Sequence, residues 1–232
     1  MFNKVEGLSN EKHIDLRFAP MNSFDFATTV VNAPLCASEF FQAARYYPIV
    51  FPDGGTSPMA LFNLNQKTNR YIDDQGAWKV PYVPAHIRRY PFIFAKQDKS
   101  EATNNFVVCI DIEAPHFATG QGEPMFTANG ELSQFTNKMI EFLKKYHQEL
   151  DMTQMICREL ETTGVLVDKK ITIDKDGQKI QIGGFRCVDI EKMNNLEDAV
   201  LSKWVRNGLI SIVNSHLQSL VNLKELVSTT LS

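Results

Sequence analysis

Residues 130–184, GELSQFTNKMIEFLKKYHQELDMTQMICRELETTGVLVDKKITIDKDGQKIQIGG, decide how this chain folds. Leu132, Phe135, Met139, Phe142, Tyr146 and Leu150 recur every three or four residues, which lines up one apolar face of a helix. Asp151 offers a cap for a second helix carrying Met155, Ile156 and Leu160, and Gly164 offers its end. The pattern then changes. Val165–Ile173 and Lys179–Gly184 are strand-like runs flanking Asp174-Lys175-Asp176-Gly177, a hairpin signal. The segment therefore predicts helix, helix, hairpin.

Upstream, short apolar runs alternate with prolines and turn signals. Pro34 suits the first turn of a helix through Leu35, Phe40, Phe41 and Ala44, with Asn32 nearby as a cap. Pro48–Phe51, Met59–Leu64, Arg70–Ile72, Phe92–Ala95 and Phe106–Ile112 read as strands. Asp53-Gly54-Gly55 and Asp74-Gln75-Gly76 mark turns between them. Downstream of about Ile190 the chain is helical again, with Trp204, Leu209, Ile212, Val213, Leu217, Leu220 and Leu223 on apolar faces. Strands in runs followed by helices predict the α+β class. The expected form is a mixed or antiparallel β-rich N-terminal half packed with a mainly helical C-terminal half containing one late hairpin. One domain over 1–232 is expected, with any subdivision falling near 120–130.

At 232 residues, 44% hydrophobic and 22% charged, the chain can bury a core without disulfides or metals. A formal charge of −3 argues against nucleic-acid binding, which needs a basic face to displace counterions. Charged residues interrupt every apolar run near the N-terminus, so no signal peptide and no membrane insertion are expected. Cys36, Cys109, Cys157 and Cys187 form no CxxC pair, which reads as reduced, mostly buried thiols in a cytoplasmic protein.

The most unusual stretch runs from Trp78 to Phe92, where Arg88 and Arg89 lie among aromatics and prolines. Guanidinium groups bind carboxylate or phosphate through paired hydrogen bonds, so Trp78, Tyr82, His86, Arg88, Arg89 and Tyr90 are the candidate ligand- or partner-binding residues. The structural alternative stacks one arginine on a ring and pairs the other with a buried acid such as Asp111. Asp111, Glu113 and His116 are the densest set of metal-ligand types, but polar residues at a strand end explain them as well, and no metal or other cofactor is expected. His216 and Ser219 share a helix face, yet no GxSxG elbow accompanies them, so they read as packed polar groups bonding across helices. Gly120-Gln121-Gly122 and Gly183-Gly184 match no phosphate-binding pattern. His13 and His147 sit in polar stretches and read as surface residues.

These residues also carry a resemblance. Asn32-Ala33-Pro34-Leu35, Tyr47–Pro52, the Asp74/Gly76/Trp78 turn, Tyr82–Phe92, Val108–Asp111, Gly208 and His216–Leu220 together resemble the SapC family of bacterial proteins, named for a gene linked with S-layer loci. The resemblance implies a protein without an established reaction and without family catalytic residues to carry over. Members are often encoded near flavin-dependent halogenase-like proteins, cupin-like oxygenases and outer-membrane receptors. That association implies an accessory role in a modification or uptake system.

Two functional readings follow. In the first, the protein is a non-catalytic adaptor whose Arg88/Arg89 platform engages a protein or peptide partner, since interfaces favour arginine and aromatics. In the second, it is an enzyme with an unfamiliar, metal-dependent site using Asp111, Glu113, His116 and His86. A small-molecule sensor and a sugar-handling protein are weaker alternatives.

Overall fold

The computed structural model describes residues 1–55, 57–64, 68–96, 106–175 and 178–230. Its N-terminal half consists of β1 (Val5–Gly7), α1 (Asn10–His13), β2 (Arg17–Phe18), β3 (Asn32–Pro34), α2 (Phe40–Ala43), β4 (Ile49–Pro52), β5 (Met59–Leu61), α3 (Ala85–Arg88), β6 (Phe92–Lys96) and β7 (Phe106–Asp111). A short strand, β8 (Glu123–Pro124), leads to α4 (Gln134–Thr162) and then to the hairpin β9 (Leu166–Lys175) and β10 (Gln178–Val188). Four helices follow: α5 (Ile190–Asn194), α6 (Asp198–Arg206), α7 (Leu209–Ser219) and α8 (Leu223–Thr230). The strands form sheets ordered β1-β7-β6, β3-β5-β4-β10-β9 and β2-β8, with every pairing antiparallel. This is the expected α+β arrangement of a β-rich N-terminal half and a helical C-terminal region.

The late hairpin registers Lys175 against Gln178 and Val188 against Leu166. Asp176 and Gly177 of its turn lie outside the described residues. β10 also pairs with β4, so the hairpin completes the five-stranded sheet begun by the N-terminal half.

Several local expectations give way to tertiary packing. The two helices expected to meet at Asp151 are one continuous helix, α4, of 29 residues. Ser133 caps it by accepting the Thr136 N–H, and Gly164, at φ 69°, lies just past its end. Asp151 caps nothing, because the adjacent turn is held from inside: Thr153 donates to the Glu149 carbonyl at 2.6 Å and accepts the Ala37 N–H at 2.8 Å. Pro34 does not open a helix. It pairs with Met59 in β3, and helical structure begins at the 3-10 turn Ala37–Glu39, which runs into α2. Of the Arg70–Ile72 run, only Ile72 bridges, to Trp78. His13 is 3% exposed, not a surface residue: its Nδ1 accepts the Ser9 N–H at 3.1 Å, which turns the ring inward.

The larger apolar core gathers Leu35, Phe40, Tyr47, Ile49, Phe62, Leu160, Trp204 and Val213 between the five-stranded sheet and the C-terminal helices. A second core gathers Tyr90, Phe92, Ile110, Phe117, Met125 and Leu143 beneath the three-stranded sheet. Between them lies a small cluster of Cys36, Ala85 and Tyr146, against which Phe142 and Leu150 pack. The helix α4 contributes to all three.

Candidate functional site

Pro84 sets the geometry of the 78–92 segment. Its φ of −55° and ψ of 144° place it just ahead of α3, whose single turn starts as the Ile87 and Arg88 amides bond back to the Pro84 carbonyl. The loop before it is fixed by a chain of polar groups. The Trp78 indole N–H donates to the Tyr47 hydroxyl at 2.8 Å, and that hydroxyl donates to the Tyr82 carbonyl. The Tyr82 hydroxyl in turn donates to Glu39 Oε1 at 2.7 Å.

Glu39 is the hub of this arrangement, buried to 6% exposure. Its Oε1 also accepts the Ala85 N–H at 2.8 Å, and its Oε2 accepts the Cys36 N–H at 2.9 Å. One carboxylate thus satisfies the start of α3 and the start of the 3-10 turn before α2, which binds the two segments together.

The paired arginines have different surroundings. Arg89 is half-buried. Its guanidinium lies 5.4 Å from the Phe2 ring centroid and 5.7 Å from that of Tyr146, and its Nε donates to the His86 carbonyl at 3.3 Å. Arg88 is exposed, with Nε on the Val83 carbonyl at 2.9 Å and its guanidinium 5.6 Å from the centroid of Phe142. The structural alternative therefore describes the stacking of Arg89 correctly, but Asp111 is no partner of either arginine. Its oxygens accept the Asn3 and Lys4 amides at 2.8 and 2.9 Å and the Tyr90 hydroxyl at 3.1 Å, which fastens the N-terminal strand. Burial opposes ionisation of Asp111, yet these hydrogen bonds, with that from Glu113 N–H, hold its carboxyl below the usual range.

Between α3, the Ala37–Glu39 turn and α4 opens a cleft of about 400 Å³, within the range of small-ligand sites. Cys36, Glu39 and Tyr82 lie on its inner side, Phe142 and Tyr146 wall it, and Arg88, Lys145 and Glu149 also line it. Its reactive side chains are held in unreactive protonation states. Burial pushes the Cys36 thiol well up, and Glu39 and Glu149 push the same way. Burial likewise raises the Tyr82 and Tyr146 hydroxyls, with the Glu39 charge adding to both. Beside the cleft, burial and the Arg89 charge depress His86 to about 3, and its Nδ1 lies 3.1 Å from the Tyr146 hydroxyl. At neutral pH the thiol and phenols are protonated and the imidazole is neutral.

Of the six candidate residues, Tyr82 and Arg88 line this cleft and His86 abuts it through Tyr146. Trp78 stands behind Tyr47 in the larger core, and Tyr90 packs in the second core against Phe26 at 4.2 Å. Glu39, Lys145 and Tyr146 belong to the site and were not singled out from sequence. Asp111, Glu113 and His116 are not brought together as ligands: Glu113 is exposed, and His116 is stacked on Phe18 at 5.2 Å. Among the described residues no three His, Cys, Asp or Glu side chains are placed to hold a metal ion.

His216 and Ser219 are packed polar groups, but their bonds run to strands and within α7, not across helices. His216 Nδ1 donates to the Ile49 carbonyl at 2.9 Å, and its Nε2 accepts the Val188 N–H at 3.1 Å. Ser219 donates to the His216 carbonyl at 2.5 Å and accepts the Ile49 N–H at 2.9 Å. Together they tie α7 to β4 and β10.

Fold and site together define an α+β protein with two cores joined by one long helix and a polar, aromatic-walled cleft where they meet. The SapC family model matches residues 8–226, and the chain belongs to that family. No curated protein and no solved structure matches it. Among the described residues no helix is long and apolar enough to cross a membrane.

Proposed function

We propose that this is a non-catalytic, cytoplasmic binding protein that engages a protein or peptide partner at the cleft lined by Arg88, as an accessory to a bacterial modification or uptake system. The observation that carries the reading is the contrast inside one cleft. Burial moves its nucleophile-type groups further from ionisation than usual, whereas Arg88 is exposed beside an aromatic wall. A thiol must become thiolate to attack, and a general base must take up a proton near neutral pH, so Cys36 and His86 are poorly set for chemistry. Arginine beside aromatic side chains is the composition of binding hot spots. Four free thiols, three of them buried, fit a reducing compartment. The net charge of −3 disfavours a nucleic-acid partner. A halogenase-like or oxygenase partner is the kind of association the family resemblance implies.

The test is an affinity pull-down at near-native expression with wild type, Arg88→Ala and Arg89→Ala. A protein captured by wild type and lost with Arg88→Ala, at an unchanged melting temperature, supports the reading. Capture that is indifferent to Arg88, or nothing captured by folded wild type, overturns it.

A further inference from the structure

We infer that the ligand group received by this cleft is the side-chain carboxylate of an acidic residue next to an aromatic or apolar one, clamped by Arg88 and Lys145. The inference builds on the binding reading above and names the chemistry of the partner. Both cations line the cleft, both are exposed, and neither forms an ion pair among the described residues. They stay unpaired although Glu39 and Glu149 line the same cleft. Glu39 is already taken by two backbone amides and the Tyr82 hydroxyl.

Arg88 donates its Nε–H to the Val83 carbonyl, and its guanidinium also reaches the Tyr82 hydroxyl, which still leaves terminal N–H donors facing the cleft for a carboxylate. The guanidinium lies over the Phe142 ring, 5.6 Å from its centroid, which holds it beside the wall of Phe142 and Tyr146. A carboxylate meeting Arg88 therefore brings its neighbouring side chain against that wall.

A chain-terminal carboxylate is disfavoured for a specific reason. Such a group is usually received by free backbone N–H groups. Three amides on the inner side of this cleft are occupied: Cys36 and Ala85 donate to Glu39, and Ala37 donates to Thr153. The cations lining the cleft, Arg88 and Lys145, are carried on side chains, which suits an acidic side chain on a segment lying across it.

The test is an NMR titration of the full chain with three blocked probes: acetyl-aspartyl-phenylalaninamide, its asparaginyl counterpart, and acetyl-phenylalanine. The aspartyl probe should shift amides of residues 36–39, 82–88 and 142–149, and it should bind about tenfold more tightly than the asparaginyl probe. Arg88→Ala and Lys145→Ala should each remove most of that preference while leaving the rest of the spectrum intact. Equal binding of both neutral and acidic probes overturns the inference, as does tighter binding of acetyl-phenylalanine. No shift at about 10 mM, where millimolar contacts register, also overturns it. If a partner is captured through Arg88 but the aspartyl probe has no preference, the binding reading stands and the carboxylate falls. If the aspartyl probe binds as expected but folded wild type captures nothing, the carboxylate site stands and the partner reading falls.

Discussion

Replacing His216 with leucine tests how the helical C-terminal region is attached to the sheet. The ring is fully buried, and its two nitrogens join the Ile49 carbonyl on β4 to the Val188 amide on β10. Leucine keeps the bulk but strands both backbone groups, at about 1–3 kcal/mol each. The expected loss is roughly 4 kcal/mol, or some 8–16 °C in melting temperature for a chain of this size. The pH dependence makes the argument sharper. Burial depresses His216 to about 4 from an ordinary 6.5, while the Ile49 carbonyl works weakly the other way. The unfolded chain therefore takes up this proton below about 6.5 and the folded chain only near 4, so the stability present above 6.5 drains away through that window. For wild type the loss is about 3 kcal/mol by the lower end. His216→Leu has no such proton, so its deficit should shrink from roughly 4 kcal/mol at about pH 7.5 to about 1 kcal/mol near pH 4. Urea unfolding followed by tryptophan fluorescence reads this directly, since Trp204 is fully buried. A deficit independent of pH, or one near zero at neutral pH, would show that the neutral His216 ring does not hold the two strands to α7.

Three further substitutions probe the site and the fold that supports it. Arg89→Ala removes a half-buried cation from between Phe2 and Tyr146 and should cost about 1–2 kcal/mol, whereas exposed Arg88→Ala should cost no more than about 0.5 kcal/mol. Thermal melts giving the opposite order would show that the two roles are assigned wrongly. Gly122→Ala places a Cβ 2.1 Å from the Phe18 carbonyl oxygen at a φ of 101°, and should cost roughly 2 kcal/mol or more. A melting temperature lowered by about 4–8 °C is the expected reading, and an unchanged one would mean that the β2–β8 corner yields freely.

What could be read from the sequence was what is encoded locally. Phe92–Lys96 and Phe106–Asp111 show as strands because short β-branched and aromatic runs suit a half-buried sheet. Gly164 marks the end of α4 because a left-handed residue is needed just beyond a helix. The unbroken α4 was hidden because Asp151 looks like a cap, and only contacts with residues 116 positions away, through Ala37 and Thr153, hold that turn. The cleft was half visible. Tyr82 and Arg88 stood out within one dense motif, but Glu39 lies 43 residues from Tyr82, and Tyr146 lies 60 from His86. Nothing in the sequence near Glu39 says that its carboxylate is turned inward to hold two loops. His13 misleads for the same reason, since its polar neighbours conceal a ring facing the interior.

The length of α4 has a consequence for how the molecule responds to force and heat. At a rise of about 1.5 Å per residue the helix is a rod of about 44 Å. Leu143 is set in one core, Leu160 in the other, and Tyr146 at the cleft between them. Melting either core removes packing from the rod that the other core leans on, so the two are thermodynamically coupled and calorimetry should record one transition. The proposed partner, seated against Phe142 and Lys145, would press on that rod between its anchor points in the two cores. Whatever tension it applied would be shared by both cores at once.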